Sequence, residues 1–155
     1  MRRTRTIRAA ARLGAACLVL SASASACGGG DKGISKTDYL ARAKVVCQKG
    51  NRELKAASDD VIAKLAPGQK LSGPEIDDFV RKTVIPTIRN QVNQLRAVPP
   101  PKGEKGHVEE IYKALDKGID ELEKTPAKLA DGSNVFAAAD GLANKYGIGV
   151  CATTG

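Results

Sequence analysis

This chain has no tryptophan, one histidine and one methionine, and its aromatic residues are limited to Tyr39, Phe79, Tyr112, Phe136 and Tyr146. A folded core must therefore be built mainly from Leu, Ile, Val and Ala. A lone histidine leaves little from which to assemble a Ser-His-Asp triad, and no serine or threonine sits in a nucleophile-elbow context. There is no Cys-x-x-Cys pair. No phosphate-binding loop occurs either, because Gly28-Gly29-Gly30 is not followed by Lys and then Ser or Thr. No segment alternates apolar and polar residues as a half-buried strand would, and neither an internal repeat nor a second domain is visible.

What is present is concentrated at the start. Arg2, Arg3, Arg5, Arg8 and Arg12 precede an apolar stretch from Leu13 to Leu20, and small residues follow from Ser21 to Ala26. A basic end, a short apolar run and small residues before a cut site make a signal peptide over residues 1–26, not a membrane span. Arg2-Arg3 needs no twin-arginine reading, since a generally basic start explains it. Ala24-Ser25-Ala26 suits ordinary signal peptidase. Ser25-Ala26-Cys27 also resembles the end of a bacterial lipobox, with Ala24 standing where that pattern usually has Leu. The expectation is lipidation at Cys27, with plain secretion as the alternative. Cys17, inside the apolar run, is read as an inert part of the signal. Residues 27–34 are then a lipidated cysteine and a flexible tether, led by Gly28-Gly29-Gly30, and residues 35–155 are the domain.

Removing the signal changes the charge argument. The whole chain carries 25 Lys+Arg against 17 Asp+Glu, a net +8. The five signal arginines leave with the peptide, so 20 basic residues face 17 acidic ones and the balance drops to +3. That value, with the charges interleaved, describes a solvated helical surface rather than a nucleic-acid partner.

Of the four cysteines, Cys47 and Cys151 remain. Outside the cytoplasm an even remainder of two reads as one disulfide, Cys47–Cys151. The alternative, a pair of metal or redox thiols, is poorly served by two cysteines so far apart and a single histidine.

The mature chain reads as helices. Ser35-Lys36-Thr37-Asp38 opens the first, whose stripe runs through Tyr39, Leu40, Ala43, Val46, Cys47, Gly50, Leu54, Ala57, Val61 and Leu65 to a stop at Ala66-Pro67-Gly68. Ser72-Gly73-Pro74-Glu75 has the form of a capping box with proline in the first turn. Ile76, Phe79, Val80, Thr83, Val84, Ile88, Val92 and Leu95 follow on one face. Pro86 removes a backbone donor and crowds the preceding turn, which predicts a kink or short break near Arg81 to Ile85. Such a kink can open a cavity, though more often it lets a helix wrap its core. Val98-Pro99-Pro100-Pro101-Lys102-Gly103 is a stiff connector. A third helix over Lys105–Lys124 presents Val108, Ile111, Tyr112, Leu115, Ile119 and Leu122, with Glu109–Lys113 and Asp120–Lys124 expected to pair outside. Ser133 or Asn134 is expected to cap a last helix through Tyr146, and Gly147 to Val150 to form an extended tail returning Cys151 to the body. The expected fold class is all-α: an antiparallel four-helix bundle with one disulfide, behind a signal peptide and a Gly-rich tether.

The arrangement Ile34-Ser35-Lys36-x-Asp38-Tyr39, Cys47 with Asn51 four residues on, and a terminal Tyr146-Gly147-x-x-x-Cys151 resembles small exported lipoproteins of actinobacteria. The resemblance implies envelope location and helical architecture, and no activity.

Candidate chemistry is sparse. His107 with Glu109 and Glu110 could be imagined as a metal site, but such neighbours do not converge from one helix start, and a solvated surface histidine is the reading. Asp59-Asp60 and Asp77-Asp78 point in different directions and are not acid–base pairs. The aromatics, spread over the helices, could line a ligand pocket but are more often plain core at this spacing. No cofactor or metal is expected. The functional expectation is a membrane-anchored lipoprotein on the outer face of the cell membrane, acting as a non-enzymatic binding or scaffold module. Its partners would be the membrane, through the lipid, and an envelope protein or small ligand. The alternative is a small secreted enzyme or a metal or haem carrier.

Overall fold

The computed structural model describes residues 33–152. The expected signal peptide, Cys27 and most of the tether lie outside the described residues. The fold is all-helical, with no strand among the described residues and one disulfide between Cys47 and Cys151.

Helix α1 spans Lys36–Ile62. It begins where expected, because the Ser35 hydroxyl oxygen accepts from the Asp38 backbone N–H at 3.0 Å and satisfies a donor that the first turn leaves free. Tyr39, Ala43, Cys47 and Gly50 are buried along its stripe. Beyond Gly50 the stripe residues Leu54, Ala57 and Val61 are only half-buried, and the helix stops at Ile62, before Ala66-Pro67-Gly68.

Helix α2 (Gly73–Phe79), a π-helical turn (Val80–Val84) and helix α3 (Ile85–Arg96) follow one another without a non-helical residue. The Glu75 carboxylate accepts from the Ser72 N–H at 2.8 Å and from its hydroxyl at 2.6 Å, which starts α2 as the capping box requires. Pro86 does not break the rod. The Ile85 N–H bonds the Val80 carbonyl five residues back, and this wider turn fills the place where a kink was expected. A proline ring strikes the carbonyl four residues before it in a regular helix, and a π turn moves that carbonyl aside.

The proline connector is also a docking edge. Ile34 N–H donates to Pro100 O, and Lys102 N–H donates to Ile34 O, both at 3.2 Å. Gly33 and Ile34 are therefore fixed to the connector, at the end of the segment assigned above to the tether.

Helix α4 (Lys105–Lys124) buries every residue of its predicted stripe, and Gly118 besides. Glu109–Lys113 and Asp120–Lys124 do not close. The acidic face of α4 instead reaches α3, through Arg89–Glu123 at 2.8 Å and Arg96–Asp116 at 2.5 Å. A short 3-10 turn, Pro126–Leu129, leads to helix α5, Ala137–Tyr146. Neither Ser133 nor Asn134 caps α5. Asn134 Oδ1 accepts from the Phe136 N–H at 3.0 Å, closing a local turn ahead of the helix. At the other end Gly147 adopts φ 102°, a left-handed conformation that terminates α5. Gly149–Cys151 forms a 3-10 turn rather than the expected extended tail.

The core joins Tyr39, Ala43 and Cys47 of α1 to Ile88, Val92 and Leu95 of α3, Ile111, Leu115 and Leu122 of α4, and Ala139 and Ala143 of α5. No helix among the described residues is long and apolar enough to cross a membrane.

Candidate functional site

The half-buried second half of α1 leaves a cleft of about 650 Å³, within the roughly 300–1,000 Å³ typical of small-molecule sites. Leu54 stands on one side. Val84, Ile88, Val92 and Leu95 form a second wall, with Leu115 at the base. Leu129, Val135 and Phe136 close the far side, and Cys151 and Ala152 of the tail floor one end.

Local chemistry fixes each wall. The far side is a loop, and three polar interactions hold it. Lys128 donates to Glu121 of α4, and each group stabilises the other's charge, so the Glu121 carboxyl titrates below its ordinary range and the Lys128 ammonium above. Asp131 is likewise lowered by the Ser133 hydroxyl and N–H, the latter donating at 2.8 Å. Asn134 donates to buried Asp140 at 3.3 Å. The tail is held by the disulfide and by Asn51, whose Nδ2 donates to Val150 O at 3.0 Å.

One polar side chain at the cleft is different in kind. Gln91 is 8 % exposed and makes no side-chain hydrogen bond among the described residues. It belongs to the buried face of α3, in register with Ile88 and Leu95. Its carboxamide packs on Gly50 of α1, where an added Cβ would lie 2.4 Å from Gln91 Oε1. A Cβ at position 50 would require the Gln91 carboxamide, the end of a flexible side chain, to move from this position.

A second hollow of about 630 Å³ lies between the end of α1 and the start of α2, beside Val61, Leu65 and Phe79. It is more open and is bordered by Lys64, Glu75, Asp78 and Lys82.

The aromatic residues separate into two groups. Phe136 lines the cleft and Phe79 the second hollow. All three tyrosines gather elsewhere, near the proline connector. The Tyr39 and Tyr112 hydroxyls meet at 2.9 Å, and the Tyr39 and Tyr146 rings meet edge-on at 6.0 Å. Lys36 sits 4.3 Å from the Tyr146 ring centre and Arg96 5.4 Å from that of Tyr112, both within cation–π range. Glu104 Oε2 and the Tyr146 hydroxyl are shut off from solvent, and Glu104 Oε2 is ion-paired with the Lys36 ammonium at 3.1 Å. The neighbouring Tyr146 hydroxyl and the Lys36 ammonium still hold the Glu104 carboxyl below its ordinary range.

The remaining candidates from the sequence are placed as follows. His107 is exposed at the start of α4. No group of three His, Cys, Asp or Glu residues able to hold a metal occurs among the described residues. Asp77 pairs with Arg81 at 2.9 Å, Asp78 with Lys82, and Asp59 with Lys55 at 2.6 Å. Cys47 and Cys151 meet beside the cleft, and Cys27 lies outside the described residues. Gln91 carried a signal in the sequence that the stripe alone did not single out: a neutral polar residue three positions after Ile88 on the apolar face. No family model, curated protein or solved structure matches this chain.

Proposed function

We propose that this protein is an exported module, anchored by lipid at Cys27 on the outer face of the cell membrane, that binds a small, largely apolar molecule without transforming it. The cleft carries the reading. It is lined mainly by Leu, Ile, Val and Phe with few polar groups, the usual composition of a ligand site. Burial of apolar ligand surface there would contribute about 25 cal/mol per Å² before the costs of association. The polar groups at the cleft are amides, a serine hydroxyl and the ion-paired Lys55, a set suited to binding rather than to proton transfer or nucleophilic attack. The finer architecture we propose is an antiparallel four-helix bundle, with α2 and α3 acting as one member.

Anchoring is supported by the layout of residues 1–30 and is tested by intact mass. A diacylglyceryl adduct is expected on Cys27 in the membrane fraction, and an unmodified N-terminus in culture fluid overturns it. Binding is tested with the neutral fluorophore N-phenyl-1-naphthylamine. Saturable fluorescence enhancement is expected. Leu129→Trp, at a half-open position on the cleft wall, should abolish it by filling the mouth. Absence of saturable binding, or binding indifferent to this substitution, overturns the cleft as a site.

A further inference from the structure

We infer that the molecule held in the cleft is neutral and mainly apolar, that it carries an amide-type group with both a hydrogen-bond donor and an acceptor, and that Gln91 recognises that group; the inference rests on the cleft being a binding site. The Gln91 carboxamide makes no hydrogen bond among the described residues, yet its polar atoms are not sealed from solvent, so a molecule entering the cleft that Gln91 lines can reach them. At the cleft, Asn51 Nδ2 is taken by Val150 O, and Asn134 uses its oxygen on the Phe136 N–H and its nitrogen on Asp140. Gln91 alone combines near-complete burial with an unengaged amide among the described residues lining the cleft. Gly50 gives the carboxamide its present position, since an alanine there would push Gln91 Oε1 aside. The pair therefore places a polar, unengaged side chain on the wall of a mainly apolar cleft.

A glutamine side chain presents two donors and one acceptor on a single plane. An amide or lactam answers with the matching acceptor and donor and leaves neither side unpaired. An ionised carboxylate can accept but cannot donate, and it would bring a charge into the cleft. The charged residue lining the cleft is Lys55, whose ammonium is exposed at the rim and engaged by Asp59 at 2.6 Å. A buried anion would thus lack a counter-charge, and burying an unpaired charge is strongly unfavourable.

Octanamide and octanoate share a chain and differ in the group that matters. Heteronuclear NMR titration of the mature protein should show octanamide shifting the Gln91 side-chain amide together with Leu115 and Val135, with octanoate binding about tenfold or more weakly. Gln91→Met keeps the length of the side chain and removes the amide. It should weaken octanamide about tenfold and bring the two ligands to within about twofold of each other. Gly50→Ala, which retains Gln91 but displaces its oxygen, should act in the same direction. Equal affinities in the unmodified protein, or an amide preference that survives Gln91→Met, overturn the role of Gln91 and leave the cleft reading standing. If neither ligand moves these resonances while N-phenyl-1-naphthylamine still binds, the assigned ligand class falls. If the fluorophore fails as well, the cleft reading falls with it.

Discussion

The hydroxyls of Tyr39 and Tyr112 face each other at 2.9 Å in the core, from residues 73 positions apart in the chain. Each is the other's partner, and each residue is 3 % exposed or less. Replacing one by phenylalanine leaves the other hydroxyl buried and unpaired, at a cost of about 1–3 kcal/mol. Replacing both removes the unpaired group as well. Urea denaturation should therefore show Tyr39→Phe and Tyr112→Phe each destabilising, and the double variant recovering most of the loss. Simple addition of the two single effects would show that the hydroxyls are not coupled.

The same cluster predicts alkaline sensitivity. Burial first raises Tyr39, Tyr112 and Tyr146 above the ordinary tyrosine value, with Tyr39 adding to Tyr112 and Glu104 adding to Tyr146. The folded state holds these protons more tightly than the unfolded chain. Their contribution to stability is complete below pH about 10 and is lost as pH rises from there toward the folded-state values. Phenolate absorbance of the native protein should lag behind that of the urea-unfolded chain and then rise together with loss of the helical circular dichroism signal. Ionisation at the ordinary tyrosine value with helicity intact would contradict this.

Two helical glycines should respond to alanine with opposite signs. A Cβ at Gly118 would lie 2.5 Å from Phe136 Cδ1, whereas a Cβ at Gly141 meets nothing within 4 Å. Gly118→Ala should cost about 1–3 kcal/mol through overpacking. Because Phe136 lines the cleft, it should also weaken binding of the fluorophore. Gly141→Ala should stabilise by up to about 1 kcal/mol through helix propensity alone. Thermal denaturation of the two variants checks both signs.

The disulfide ties α1 to the tail across 104 residues. Chain entropy makes such a crosslink worth about 4–5 kcal/mol as an upper value. Cys47→Ser/Cys151→Ser should lower Tm by roughly 10–20 °C. Cys151 and Ala152 floor one end of the cleft, so fluorophore binding should weaken in parallel. Unchanged Tm in the double variant would show that the helices hold without the bridge.

Helix positions were legible because each is written locally. Ser35 and Ser72 supply caps, Gly147 supplies a stop, and the stripe of α4 states which face is buried. The disulfide was legible by elimination, once Cys17 and Cys27 were assigned to the N-terminal segment. The boundary at Ala137 was not, because Asn134 could have capped a helix and closes a turn instead. The response to Pro86 was not legible either: a kink and a π turn both accommodate a missing donor, and the packing of Val80 and Val84 into the core accompanies the second.

The sequence by itself determined an all-helical chain with a cysteine pair to close it, because caps, stripes and cysteine number are properties of neighbouring residues or of simple counting. The tertiary structure alone decided where that chain is open. Periodicity names the apolar face of α1 but not how far along it a neighbour follows, and beyond Gly50 cover is incomplete. Gly50 read as one more small residue on a stripe, and Gln91 as an ordinary polar one. Their meaning lies in the distance between two helices, and that distance is set by every side chain packed between them.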